Sequence, residues 1–527
     1  MFHATMKITL ALIPVALAAI EEHRVDSLPG FDGPLPSAHY SGYLPVGNTT
    51  GVPGFIHCAS LPPTPVAPLT RLSAGRADWL IMSENDPAND PLVYWTNGGP
   101  GGSGINVGLL TEMGQIHANE NSFANASAGL RVFYNPYSWS RVANTLYVSQ
   151  PKGVGYSYCA DASAPCENDD ATSAQDAYDF FLAFFDAYPE LRANDFYLTA
   201  ESYGGIYIPT FMREIDQRGG VPNFVGAAIG DGCWGTDVGL CAFGSGKSNE
   251  IQANFFLGHS MIDQPLFRGL ERACANATTG EWADEADAPA ECVDLLAQMD
   301  AQAGDFNVYN VYDTCADDAA RGGARGGARG AAKWRELLFA RRSVSLERME
   351  DASAHPQLPR DGGAAPRRAL GALGDYPCGN DRAAAAWLAQ PEVAAALHVD
   401  PGAAARGMNY TWGPSAFSGD LRPLYAELAR KYRMLIYSGD TDACVPTWGT
   451  DEWVRELGFA QKDGGGWRAW TSPLEYGAAE QRAGYVVDYD VNDFKFVTVQ
   501  GAGHMIPLYK PYFALTMISK FLKNEDF

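Results

Sequence analysis

The chain has 527 residues, 46% of them apolar, and its 62 acidic against 38 basic side chains give a formal charge of -24. That length exceeds an ordinary single domain but fits an α/β enzyme enlarged by insertions. The acidic balance excludes the basic footprint that nucleic-acid binding requires, and it suits an acidic compartment, where protonated carboxylates repel one another less.

At the N-terminus, Lys7 precedes an apolar run from Ile8 to Ile20, and Ala16-Leu17-Ala18 supplies small residues for cleavage. The run is too short to cross a bilayer as a helix, so residues 1–18 read as a signal peptide. No later stretch reads as a membrane anchor. Ten cysteines behind such a leader favour disulfides over metal binding. Cys159–Cys166 and Cys233–Cys241 are close enough for local bridges, whereas Cys58, Cys274, Cys292, Cys315, Cys378 and Cys444 cannot be paired from sequence. Sequons at Asn48, Asn125, Asn276 and Asn409 fit the same export route.

Short apolar runs rich in β-branched and aromatic residues predict strands at Leu92–Thr96, Thr145–Ser149, Phe196–Thr199, Phe224–Ile229, Met434–Tyr437 and Phe496–Val499. Between them lie helical patterns. The clearest is Ala177–Tyr188, with Phe180, Phe181, Phe184 and Phe185 on one stripe and Pro189 just beyond. Alternating strands and helices predict an α/β fold, a mostly parallel sheet covered on both faces. From about Thr236 to Gly374 the strand signals fade and helical, cysteine-bearing segments take over. This region includes the low-complexity run Arg321-Gly-Gly-Ala-Arg-Gly-Gly-Ala-Arg329-Gly, too polar to offset chain entropy by burial. The expected organisation is a core in two parts, 19–235 and 429–527, around a helical insertion at 236–428 with a linker at 317–372.

Three loops carry chemistry. Ser202 follows the strand Phe196–Thr199 directly and opens a helical pattern, with small residues Ala200 and Gly204 beside it. A serine on such a strand-to-helix turn is lifted out of the sheet, where a base can reach its hydroxyl. Tyr437-Ser-Gly-Asp-Thr-Asp442 and Val499-Gln-Gly-Ala-Gly-His504 follow two later strands. The order Ser, Asp, His is that of α/β-hydrolases. His504 would move the proton of Ser202 and Asp442 would orient the imidazole; Asp440 is the competing acid, with loop shaping as its alternative role. Upstream, Tyr94-Trp-Thr-Asn-Gly-Gly-Pro-Gly101 offers backbone donors for an oxyanion, the candidates being the N–H groups of Gly99 and Tyr203. The proposed chemistry needs no metal or organic cofactor, and no convincing metal-ligand cluster stands out.

These motifs resemble the serine carboxypeptidase family, and the resemblance spans nearly the whole mature chain. It rests on Ser41-Gly-Tyr-Leu-Pro-Val46, Trp95-Thr-Asn-Gly-Gly-Pro-Gly101, Asn135-Pro-Tyr-Ser-Trp139, Gly153-Val-Gly-Tyr-Ser-Tyr158, Asn194 to Gly205, Ser438-Gly-Asp-Thr-Asp442 and Gly501-Ala-Gly-His-Met-Ile-Pro507. It implies an α/β-hydrolase fold with a helical cap, a triad of Ser202, Asp442 and His504, and hydrolysis of C-terminal peptide bonds, with peptide and protein C-termini as substrates. It further implies that Asn97, Glu112 and Glu201 read the substrate's terminal carboxylate, and that Trp95 and Met505 line a pocket, although core packing explains those two equally well. A cluster of carboxyls can bind a carboxylate only when protonated, so peptide binding is expected to weaken as pH rises. Some members are cut within the insertion, which makes the Arg-Gly run a candidate processing linker. Gly102 stands where the family carries a cysteine, so the bridge it would make, with Cys378 as the other end, is expected to be missing. Ser149, Asp231 and Ile206 also depart from the family pattern. Two rivals share the scaffold, an acyltransferase and a non-catalytic protective protein. Asn97 retained with both Glu residues favours the peptidase over the first, and the complete triad over the second. The sequence leaves vacuole, lysosome and extracellular space open, as it does a homodimer.

Overall fold

Stretches of apolar residues with no polar alternation form strands only where both faces are covered, and the centre of this molecule is built that way. The computed structural model describes residues 21–46, 74–124, 129–159, 165–313, 382–403, 407–413 and 415–527. The expected leader, the 317–372 linker, Asn48, Asn125, Cys58, Cys315 and Cys378 lie outside those residues.

The strands of the main sheet are β1 (Arg24–Val25), β2 (His39–Pro45), β3 (Ala74–Ile81), β4 (Leu92–Thr96), β5 (Asn144–Val148), β6 (Phe196–Glu201), β7 (Phe224–Gly230), β8 (Arg433–Gly439), β9 (Arg468–Ser472), β10 (Gln481–Asp488) and β11 (Phe494–Val499). They lie in the order β1-β2-β3-β5-β4-β6-β7-β8-β11-β10-β9, and Tyr158–Cys159 adds a short pairing to β3. The run from β5 to β11 is parallel throughout; the flanks are antiparallel. This is the α/β-hydrolase arrangement that the family resemblance implies, and its parallel centre is the one that the strand pattern predicts. The flanking strands β2, β3, β9 and β10 have no counterpart in the sequence reading. β9 is a half-exposed edge strand and β10 carries exposed polar residues at its start, so both lack the unbroken apolar runs of the central strands.

Successive side chains point to opposite faces and build two cores. Tyr94, Leu198, Ile436 and Phe496 pack with α1 (Asp170–Ala187) and α2 (Gly204–Arg218). Trp95, Tyr197, Leu435 and Val497 pack on the other face, where Phe513, Ile518 and Phe521 project from the C-terminal helix Pro511–Leu522. The Phe180–Phe185 stripe lies on the first face, as its spacing predicts. α1 begins seven residues before the predicted Ala177 because Asp169 and Thr172 form a reciprocal cap. Thr172 N–H donates to Asp169 Oδ1 (2.7 Å) and Asp169 N–H to Thr172 Oγ1 (2.9 Å).

Within the insertion, α3 (Gly246–Gly258), α4 (Gln264–Cys274) and α5 (Ala290–Ala303) surround a separate apolar cluster that reaches Ala443 beside the Asp442 loop. Disulfides join Cys159–Cys166 and Cys233–Cys241, as spacing suggests, and Cys274–Cys292 ties α4 to α5. Cys444 is a free thiol. Asn276 is exposed, and Asn409 donates its side-chain amide to Glu167 (2.7 Å). Among the described residues no helix is long and apolar enough to cross a membrane.

Candidate active site

Five neighbouring parallel strands, β4, β6, β7, β8 and β11, end in the loops of Asn97, Ser202, Asp231, Asp442 and His504. Ser202 links β6 to α2 with φ 62°, the left-handed region that non-glycine residues avoid unless neighbours enforce it. Its N–H donates to Gly230 O, and its carbonyl accepts from the N–H groups of Gly205 and Cys233, each at 3.0 Å. The small residues are a packing requirement. A Cβ at position 204 would lie 2.4 Å from Ala200 Cβ, and one at 205 would lie 2.1 Å from Cys233 O.

His504 Nδ1 meets Asp442 Oδ2 at 2.7 Å, both groups buried. Asp442 also accepts the N–H groups of Cys444 (2.7 Å) and Val445 (3.0 Å), which fix the direction of the carboxylate. Asp440 instead accepts Gly501 N–H (2.6 Å), joining the acid loop to the histidine loop. The imidazole therefore pairs with Asp442, and Asp440 shapes the loops. Ser202 Oγ and His504 Nε2 have no hydrogen-bond partner among the described residues; such contacts are often loose before substrate binds.

Gly98 and Gly99 turn the loop after β4 against the Ser202 turn. A Cβ on Gly98 would come 2.3 Å from Tyr203 N and 2.7 Å from Ser202 Cβ, so glycine alone permits this approach. Gly99 has φ 114°, and the N–H groups of Gly99 and Tyr203 have no partner among the described residues. Both candidate oxyanion donors are uncommitted.

Beside them sits a buried acid pair. Asn97 Oδ1 accepts from Trp95 Nε1 (2.9 Å) and Gly108 N–H (3.0 Å), which turns its amide nitrogen toward Glu112 (2.7 Å) and Glu201 (2.9 Å). Glu112 comes from the π-helical segment Gly104–Met113, capped by Ser103, and Glu201 ends β6. Burial pushes the Glu112 carboxyl up to about 7. Burial and the adjacent Glu112 push Glu201 well above the carboxylate range. The pair thus holds a proton where isolated glutamates would have lost it. Trp95 is buried against Trp139 and orients Asn97, and Met505 is buried beside His504.

Among the described residues, one group of His and carboxylate side chains is tight enough to consider for a metal, Asp231 with Asp442 and His504, their atoms within 4.8 Å of one another. The bonding does not suit a ligand set: the Asp442 oxygens are committed to an imidazole and two backbone N–H groups.

The sequence reading missed a strap. His504 N–H donates to Tyr309 O (2.8 Å), Ala443 N–H to Val308 O (3.0 Å), and Val311 N–H to Thr441 O (3.1 Å). Thr441 Oγ1 adds a bond to Asn310 Oδ1 (2.9 Å). Residues 308–311 therefore pin the acid loop and the histidine loop together from within the insertion. The only sequence signal is the doubled Asn307-Val-Tyr309 and Asn310-Val-Tyr312 pattern, in which each Asn caps a turn two residues on.

A sequence model of the serine carboxypeptidases matches residues 79–524. The chain belongs to the serine carboxypeptidase family. Serine carboxypeptidase-like 20 of Arabidopsis thaliana is 31% identical over 518 residues, covering 96% of this chain and 94% of that relative. The lysosomal protective protein of Mus musculus is 30% identical, covering 97% and 95%. Among solved structures, the prohormone-processing carboxypeptidase of Saccharomyces cerevisiae superposes with a TM-score of 0.62 at 19% identity, covering 96% of this chain and 97% of that one, which supports the shared fold. This member of the family is a serine-type carboxypeptidase hydrolase by those relationships.

Proposed function

We propose that this carboxypeptidase removes C-terminal residues from peptides, with Ser202 as nucleophile, His504 as base and acid, and Asp442 as the group that orients the imidazole. Ser202 Oγ attacks the carbonyl carbon of the last peptide bond while His504 Nε2 takes its proton. The carbonyl oxygen becomes an oxyanion facing the N–H groups of Gly99 and Tyr203. His504 then protonates the leaving amine, and water repeats the sequence in reverse to free the acyl group. The observation that carries the reading is the buried Asn97–Glu112–Glu201 cluster beside Ser202. Only a neutral carboxyl donates a hydrogen bond to the terminal carboxylate of a peptide, and burial keeps these two neutral in acid.

The substrate preference follows from that chemistry, and so does a fall in affinity as pH climbs through about 7 and Glu112 ionises. Three disulfides, an exposed sequon at Asn276 and a lysosomal relative support passage through the secretory route to a vacuole, lysosome or the exterior. The test compares an N-blocked dipeptide with its C-terminal amide from pH 4.5 to 8. Release should be faster for the free acid, KM for the acid should rise with pH, and Ser202→Ala should lower turnover about a million-fold. Equal turnover of acid and amide, or activity surviving Ser202→Ala, would refute the reading.

A further inference from the structure

Asp231 is a buried carboxyl to which the reading above gives no task. It follows β7 with φ 42° and is fully buried. Oδ1 is committed, accepting Ser438 Oγ–H and Gly439 N–H, both at 2.9 Å. Those donors belong to the end of β8, the stretch that leads into the Asp442 loop. Oδ2 is buried without a hydrogen-bond partner among the described residues, and the Asp231, Asp442 and His504 side chains offer atoms within 4.8 Å of one another.

The titratable groups facing Asp231 come from three directions. Asp440, Asp442, Cys444 and Tyr437 lie on β8 and its loop, Glu201 on the Ser202 turn, and His504 on the loop after β11. All except His504 gain negative charge or stay neutral on titration, so the imidazolium is the one group of this set that would stabilise an ionised Asp231. Burial and the Asp442 charge accordingly hold the Asp231 carboxyl well above the usual range.

We propose that Asp231 is a positioning residue that also gates the charge of His504. Through Oδ1 it anchors the strand end that carries the Asp442 loop. Through its uncommitted oxygen it creates two forms of equal net charge. In one, Asp231 keeps its proton and the imidazole is neutral, ready to accept the Ser202 proton. In the other, Asp231 is ionised and His504 is an imidazolium, which cannot act as a base. The two sites therefore titrate as a unit rather than singly. The inference rests on the proposal that His504 is the base and that Asp442 orients it.

The test uses an N-blocked amino-acid p-nitrophenyl ester, which carries no carboxylate and so does not draw on carboxylate binding by Glu112 and Glu201. Asp231→Asn keeps an oxygen for Ser438 and Gly439 but cannot ionise. Its kcat/KM profile should move its acid limb down by about one pH unit, the scale of one unit charge at this separation. Asp231→Ala, which loses the oxygen as well, should lower kcat further than Asp231→Asn does. The Glu112 charge also reaches His504, so NMR of the His504 ring is read in a Glu112→Gln background, where it should still show two titration steps. Superimposable profiles for Asp231→Asn and the parent enzyme would overturn the inference, and if neither variant folds, a single-step His504 titration would do the same. Ester hydrolysis surviving Ser202→Ala would instead overturn the catalytic reading beneath it, so the two failures are distinguishable.

Discussion

The candidate site holds two sets of buried acid, the Glu112–Glu201 pair and the single Asp442, and the protein bonds them in opposite ways. Glu112 and Glu201 share one amide nitrogen, from Asn97, and are otherwise sealed from water. Desolvation wins there, and the pair retains a proton. Asp442 is equally buried, yet it receives an imidazole and two backbone N–H groups. Such donors stabilise charge and fix direction. The contrast lies in the donors: two glutamates share one amide nitrogen, whereas one aspartate meets an imidazole and two backbone N–H groups. In the proposed function the glutamate pair donates to an anionic ligand and Asp442 steers the base.

The harshest trial of this contrast is Asp442→Asn. The amide keeps the shape but presents the wrong partner to the imidazole, so kcat should fall about 10⁴-fold with KM little changed. A loss below tenfold would mean that His504 does not depend on Asp442. Asn97→Ala acts on the other side. It strips the shared donor from both glutamates and strands Trp95 Nε1 and the Gly108 N–H. KM for free-acid peptides should rise roughly 10- to 100-fold, the cost of a charge-assisted hydrogen bond, while turnover of a carboxylate-free ester should change far less. Parallel losses on both substrates would point to a misfolded loop instead.

The smallest effect is on stability. Glu112 and Glu201 hold protons in the fold that the unfolded chain has released above about pH 4.5. The folded state then binds more protons than the unfolded one, so stability declines as pH rises from that value through about 7. Melting temperature should therefore drop between pH 5 and 8, and Glu112→Gln should flatten the slope. A melting temperature that rises over that interval would reverse the assignment of the pair.

Much of the fold was legible because burial on both faces writes itself as unbroken apolar runs, as in Leu92–Thr96 and Phe224–Ile229. The Ser202, Asp442 and His504 loops were legible for a related reason: glycine and small residues are required where backbone approaches backbone, as Gly98, Gly204 and Gly205 show. Edge strands such as β9 were hidden because half-exposed elements tolerate mixed polarity. The start of α1 depended on a cap whose members, Asp169 and Thr172, are unremarkable until their bonds are seen. The strap at 308–311 acts mostly through backbone carbonyl and N–H groups, which nearly every residue possesses, so side-chain chemistry left little trace of it beyond Asn310. Asp231 was visible only as a departure from a family pattern; that its second oxygen stays unspent is a fact of three dimensions.

The loops of Asn97, Ser202, Asp231, Asp442 and His504 leave consecutive strands of one sheet, in the spatial order β4, β6, β7, β8, β11. Neighbouring strands are spaced by their ladders at about 4.8 Å, a distance no side chain chooses. The separations among these groups are thus inherited from peptide hydrogen bonding, much as the pitch of a comb is fixed before any tooth is shaped.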